Sequence, residues 1–207
     1  YKFVIKQVAN AHNLAFDSIA LQQHTDFTYL DPVPDVALFA CIQNAESGGD
    51  SLWVDSFALA EELRRTDPVS FLTLATTPVL HQDLTDKWDM RAEHPTIELG
   101  GGEPSQPLLD RPIKRVYFNE RTRDSWRQLA MGSLAATTGA FYDALRKFER
   151  MADNPDWHVN TPLKPGDVVL FDNARVMHSR NAFVGRRHME GSYMPRDPIH
   201  TTWRARK

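Results

Sequence analysis

The chain has 207 residues, 42% of them hydrophobic and 25% charged, which suffices for a sizeable core and excludes the disordered and fibrous classes. A formal net charge of −3 with both signs scattered gives no electrostatic case for nucleic acid or an anionic membrane, and no apolar run is long enough to cross a bilayer. The single cysteine, Cys41, excludes an internal disulfide framework, and in the run "ALFACI" it reads as a small buried hydrophobe.

The sequence opens at Tyr1 within "YKFVIKQV", without a methionine or a signal-peptide pattern. The expectation is one domain over 1–207 from which a native N-terminal part is missing. After the turn-forming "DPVPD", the run Val36–Gln43 reads as a buried strand. "SGGD" turns into a second strand, "SLWVDSF". A helix follows at "ALAEELRR", and another begins at "DPVSFLTLAT", where Asp67 suits the cap and Pro68 the first helical position. His81 to Asp110 mixes charge, proline and "GGGEPSQP", and reads as a loop-rich insertion carrying one strand, "TIEL". "RVYFN" (Arg115–Asn119) is a short strand. Helical spacing is clearest over Gly139–Met151, where Phe141, Leu145, Phe148 and Met151 share one face and form a core stripe. "LKPGDVVLFDN" supplies a turn and a buried strand, and "HMEGSYM" the last strand. The pattern predicts a β-rich α+β domain with helices packed on one side, a sandwich or jelly roll.

Two ionisable side chains stand out in "LQQHTDFTYL". In an extended segment residues i and i+2 share a face, so His24 and Asp26 would project together. Two histidines and one carboxylate form the facial triad of non-haem Fe(II) oxygenases. An HxD pair alone is weak evidence, because it is more often a surface histidine bonded to a neighbouring acid. Far downstream, His178 stands just past a buried strand and Arg187 just before the final one. A guanidinium fork there could hold a carboxylate by two parallel hydrogen bonds.

The segments "LAFDSIALQQHTDFTYLDPVPDVALFACI", "SGGDSLWVDSF", "YFNERTRD", "PGDVVLFDNARVMHSRNAF" and "RHMEGSYMPRD", in this order, resemble the 2-oxoglutarate-dependent oxygenases of the taurine dioxygenase superfamily. The branch containing gamma-butyrobetaine and trimethyllysine dioxygenases is the most similar. The resemblance implies a double-stranded β-helix (jelly roll), with residues 1–207 as a single catalytic oxygenase domain. It implies Fe(II) held by His24, Asp26 and His178, with 2-oxoglutarate and O2 as cosubstrates. Arg187, rather than the adjacent Arg186, would bind 2-oxoglutarate, with Ser51 and Asn13 beside it. Tyr193, Phe27, Phe16, Asn119 and Tyr29 would meet the substrate, and Tyr1 would align with a further aromatic.

The implied chemistry is oxidative decarboxylation of 2-oxoglutarate to succinate, coupled to hydroxylation of an unactivated C–H bond in a small amino-acid-like or betaine-like carboxylate. Phenylalanines stand at 16 and 27 where the betaine-using enzyme has tyrosines, a cage tryptophan is replaced near Ile5, and "HSR" follows where "HGR" is usual. These departures leave two alternatives open: the same machinery acting on a natural-product precursor by desaturation or cyclisation, and a jelly-roll binding protein without turnover. The resemblance further points to a homodimer, and to a cytoplasmic protein, or a mitochondrial one if a transit peptide precedes Tyr1.

Overall fold

The computed structural model describes residues 2–6, 17–103, 105–124 and 134–206. Asn13, Phe16 and Tyr1 lie outside the described residues.

Two four-stranded antiparallel sheets face each other. The first has the spatial order β1 (Lys2–Lys6), β14 (His188–Met194), β3 (Val36–Gln43), β11 (Val168–Asp172). The second has the order β10 (Val159–Thr161), β5 (Ser51–Asp55), β12 (Val176–Arg180), β2 (Leu21–His24). Side-chain alternation at period two sorts each strand between two environments. On β3, Ala37, Phe39 and Cys41 belong to the interior clusters, as do Val169 and Phe171 on β11, while Val168 and Leu170 are exposed. The sheets meet through aromatic rings: Trp53 lies 5.0 Å from Phe171, and Phe39 lies 5.6 Å from the ring of His178. Gly191 is required by the seating of β1, because a Cβ there would stand 2.2 Å from the Phe3 ring, which stacks on Tyr193 at 5.0 Å.

The opposite residues of the second sheet face the helices. Val54 of β5 and Met177 of β12 join a core made with α1 (Ser56–Thr66), α2 (Pro68–Thr76) and α3 (Leu134–Asp153). The expected stripe on α3 is in this core: Phe141, Leu145 and Phe148 are buried, and Met151 packs at its edge. Asp67 caps α2, its carboxylate accepting from the Ser70 backbone N–H at 3.0 Å, and Pro68 takes the first turn as the sequence predicts. None of the helices among the described residues is long and apolar enough to cross a membrane.

Several boundaries differ from expectation. The segment read as a loop-rich insertion contains most of a hairpin, β6 (Pro78–Leu84) paired with β7 (Asp89–Pro95), before β8 (Ile97–Leu99) pairs with β9 (Ile113–Val116). Its buried row is Val79, His81, Ala92 and His94, so histidines stand where an apolar alternation would have signalled strands. "SLWVDSF" is strand only to Asp55, because that carboxylate accepts from the N–H groups of Phe57 and Ala58 and starts α1. "SGGD" is more than a turn: β4 (Ser47–Gly48) pairs with β13 (Phe183–Val184). A further helix, α4 (Arg196–Arg204), follows β14.

Besides capping α2, Asp67 receives the Lys147 ammonium at 2.5 Å, and these bonds hold its carboxyl down at about 2. Because the folded value is depressed, this contribution is complete above the unfolded carboxyl pKa near 4 and is lost as pH falls through about 2. Asp67→Ala should lower unfolding free energy by about 1 kcal/mol at neutral pH, and the difference from wild type should vanish in acid; urea titrations across pH check this.

Candidate metal and anion site

β12 runs antiparallel to β2 with His178 opposite His24. Directly facing positions have Cβ atoms about 5 Å apart, so the pairing itself brings the two imidazoles together; the ring centroids are 4.3 Å apart. Asp26 arrives differently from expectation. β2 ends at His24, and residues 25–30 form turns instead of continuing extended. The approach of Asp26 is built by Asn173, which is fully buried. Its Oδ1 accepts the Asp26 N–H at 2.9 Å, and its Nδ2 donates to the carbonyls of Asp26 (3.0 Å) and Pro34 (3.1 Å). Thr25 is held from the other side, its N–H donating to Phe118 O at 2.7 Å. The segment Tyr117–Asn119, read as the end of a strand, leaves the β8–β9 ladder to provide this support.

Asp26 therefore stands between the two imidazoles, with His24 Nε2 3.4 Å from one carboxylate oxygen and His178 Nε2 3.4 Å from the other. One donor atom from each residue lies within 4.8 Å of the others, the spacing of ligands around one metal ion. The donors are also of the types a metal takes. His24 Nδ1 is 2.8 Å from the Gln22 carbonyl, which places a hydrogen on Nδ1 and turns Nε2 toward Asp26; burial works against its charge, but the Asp26 carboxylate beside Nε2 outweighs this and raises its pKa. Burial pushes the His178 imidazole down to about 4, so it is neutral at pH 7. Burial also works against the Asp26 charge, but both histidines and the Tyr193 hydroxyl outweigh it and hold the carboxyl well below its usual range. That hydroxyl donates to Asp26 Oδ2 at 2.6 Å. Two imidazoles and a carboxylate are the donor types suited to Fe(II) with open positions.

These groups line one cavity of about 1080 Å³, which also takes in Arg187, Ser51, Asn119, Phe27, Tyr29 and Tyr193. Every described residue that the sequence assigned to metal, cosubstrate or substrate thus lines this cavity. Arg187 is partly buried while Arg186 is exposed. The Arg187 Nε has no hydrogen-bond partner, no carboxylate lies within ion-pair distance of the guanidinium among the described residues, and burial lowers its pKa. A partly buried guanidinium without a counter-charge among the described residues is a candidate anion site; its one other contact of note is the Phe183 ring, 5.9 Å away. Ser51 pairs across the sheet with Arg180, which donates to the backbone carbonyls of Asp17 and Ile19. Phe27 is held at φ +58°, a left-handed conformation rare for an aromatic residue, and its ring meets Tyr193 edge-on at 4.5 Å. Asn119 donates to Thr25 O at 3.3 Å and accepts the Arg121 N–H at 3.2 Å, so it also braces the turn it sits on.

Sequence reasoning passed over Asn173, although it stands in the quoted "FDN", because nothing in a sequence shows that a side-chain amide will clamp a distant backbone. It also passed over Trp53 and Phe171, whose rings flank His178 at 5.9 and 5.0 Å. The tip of the β6–β7 hairpin, with Asp83 and Trp88, lines the cavity as well.

Two histidines of one sheet and an aspartate of the adjoining turn, with a partly buried arginine on the same cavity, offer a candidate mononuclear metal site and a cation beside it that could receive an anion. The chain belongs to the taurine catabolism dioxygenase TauD, TfdA family, matched over residues 4–193. It is 30% identical over 205 residues to gamma-butyrobetaine dioxygenase of Homo sapiens, covering 94% of this chain and 49% of that protein. The identity to gamma-butyrobetaine dioxygenase of Pseudomonas sp. is 30% (95% and 49% covered), and to mitochondrial trimethyllysine dioxygenase of Homo sapiens 29% (92% and 44% covered). The chain spans about half the length of these relatives. In fold it is similar to an asparagine oxygenase solved with Fe(II), 3-hydroxyasparagine and succinate, at a TM-score of 0.69 and 16% identity, covering 94% of this chain and 56% of that one. A taurine dioxygenase from Burkholderia xenovorans gives a TM-score of 0.63 at 16% identity, with 93% and 63% covered.

Asn173→Asp keeps an acceptor for the Asp26 N–H but sets a carboxylate against two carbonyls. The expected result is a protein destabilised by about 2 kcal/mol whose Fe(II) affinity drops at least about tenfold, read by denaturant titration and by metal-binding titration.

Proposed function

We propose that the chain is the catalytic part of a Fe(II)- and 2-oxoglutarate-dependent dioxygenase that hydroxylates an unactivated C–H bond of a small amino-acid-like or betaine-like carboxylate. In this reading residues 1–207 are a single oxygenase domain, and the two facing sheets are a double-stranded β-helix. The observation that carries it is the convergence of His24, Asp26 and His178 on a cavity that also contains Arg187, whose guanidinium has no carboxylate partner among the described residues. A hydrolytic metal site would use the triad equally well, but it gives a buried arginine no task. The names of the similar proteins, gamma-butyrobetaine dioxygenase and trimethyllysine dioxygenase, support the substrate class.

His24, Asp26 and His178 would hold the iron, and Tyr193 would fix one oxygen of Asp26 so that the other faces the metal. The Arg187 fork would take the distal carboxylate of 2-oxoglutarate, aided by the Ser51 hydroxyl and by Asn13. Iron, 2-oxoglutarate and O2, when bound, supply the oxidation of the C–H bond. The chain orients and encloses: a fixed arginine sets the direction from which the keto acid reaches the metal, so that little rotational freedom remains to be lost in the reaction. Phe27 and Tyr193, with Phe16, would close the metal from water, and Tyr29 and Asn119 would steer the substrate carbon toward it.

Oxygen consumption and succinate formation with Fe(II) and 2-oxoglutarate test the proposal. His178→Ala and Asp26→Ala should each lower turnover at least about a hundredfold with the circular dichroism spectrum unchanged, and retained turnover would remove that residue from the metal. Arg187→Ala should raise the KM for 2-oxoglutarate at least about tenfold while changing the substrate KM little. An unaltered cosubstrate KM would assign the anion site elsewhere.

A further inference from the structure

The β6–β7 hairpin buries two histidines, His81 and His94, on the face where a hairpin packed on one side ordinarily carries apolar residues. Their facing partners are of that ordinary kind: His94 pairs with Val79 and His81 with Ala92. Val79 joins the core made with the helices and so anchors the hairpin there. The imidazoles are directed to hydrogen bonds. His94 Nε2 lies 3.1 Å from the Leu30 carbonyl oxygen, and because a carbonyl only accepts, that nitrogen carries the hydrogen. The His94 ring lies flat on Tyr117, with centroids 4.0 Å and planes 2° apart, and the Tyr117 hydroxyl donates to Glu98 at 3.0 Å. His81 Nδ1 lies 3.1 Å from Thr122 Oγ1, which in turn lies 2.7 Å from Thr28 Oγ1. Burial pushes His81 down to about 3 and lowers His94 as well, so both act as neutral hydrogen-bonding groups at pH 7.

Both chains of contact end on one short segment, the turn that follows β2. Leu30 N–H donates to Phe27 O at 2.9 Å and closes it. Asp26, Phe27 and Tyr29 of this turn line the cavity, while Thr28 and Leu30 are the residues gripped from the hairpin side. Asn173 holds the start of the turn at Asp26; the hairpin holds its middle and its end.

We infer that His81 and His94 are positioning residues, whose hydrogen bonds to this turn fix the direction from which the Asp26 carboxylate meets His24 and His178. The inference rests on the metal-site reading above and adds to it two side chains that do not line the cavity. A leucine at either place would satisfy the strand alternation, but it would leave the Leu30 carbonyl, or the Thr122 and Thr28 hydroxyls, without a partner on the hairpin. The fold would survive that loss more readily than the turn. Phe27, next to Asp26, stands at φ +58°, and a bulky residue keeps such a backbone only where its surroundings hold it.

The test titrates the full chain with Fe(II) alone under anaerobic conditions, and follows urea unfolding and succinate formation on the same proteins. His94→Leu and His81→Leu should each raise the Fe(II) Kd about tenfold, the low end for a partner standing behind a metal ligand, with the KM for 2-oxoglutarate changed by less than about twofold. His94→Gln and His81→Asn, whose amide nitrogens stand near the replaced Nε2 and Nδ1, should bring the Kd back to within about threefold of wild type. Val79→Ala supplies the comparison, because it weakens the same hairpin on its helical side: it should lower the urea midpoint and leave the Fe(II) Kd unchanged. If a leucine variant fails to fold, Thr28→Val, which removes the hydroxyl and keeps the volume, takes its place with the same expected rise. Wild-type Fe(II) affinity in these variants, no recovery in either amide variant, or an equal loss in Val79→Ala would overturn the inference. Absence of Fe(II) binding by the wild type would overturn the metal-site reading and this inference with it.

Discussion

The site depends on one strand pairing, β12 against β2, with His178 set opposite His24. Facing residues of an antiparallel pair stand at a fixed separation, so two imidazoles at such positions are close before any metal selects them. The pairing is enforced from both faces of the sheet. Met177 is buried among the helices on one side, while His178 is wedged among Trp53, Phe171 and Phe39 on the other. A slip of one residue would exchange these environments, placing an imidazole in an apolar helix interface and a thioether beside His24 and Asp26. The register is therefore held by the hydrophobic core, and the donor geometry inherits its precision.

Asp26 needs a second device because it lies beyond the end of its strand. A carboxylate on a turn would sample many orientations, and three contacts restrict it: Asn173 fixes the peptide, Tyr193 one carboxylate oxygen, and the left-handed Phe27 the onward path of the chain. Asn173 comes from the end of β11 in the first sheet, His24 and His178 from the second. The positions of the three side chains thus report the spacing between the sheets, and the aromatic rings packed between them do more than fill volume. They set how far Asp26 stands from its partners.

Much of this was legible in the sequence, for identifiable reasons. The α2 cap and the α3 stripe are local signals, written in residues three and four apart, and both appear as read. The choice of His24, Asp26, His178 and Arg187 rested on residue chemistry and on resemblance, and the described residues gather on one cavity. The reason given for His24 and Asp26 was not the structural one: the two converge through a strand end and a turn, not along an extended face. Asn173 and the β6–β7 hairpin were illegible for a shared reason. Each depends on a polar side chain buried by tertiary contact, His81 and His94 in the hairpin and the amide in the clamp, and pattern reading assigns polar residues to the surface.

Arg187 carries a consequence beyond ligand choice. Its guanidinium has been withdrawn from water without a compensating acid among the described residues, so folding bears a desolvation cost at that position. An anion that binds there relieves the cost in the folded chain and has no equivalent site in the unfolded one. By mass action, a ligand at a hundred times its Kd would add about 2.7 kcal/mol to the folding equilibrium. If the proposed dicarboxylate binds there, the resistance of this chain to unfolding rises with the concentration of that ligand.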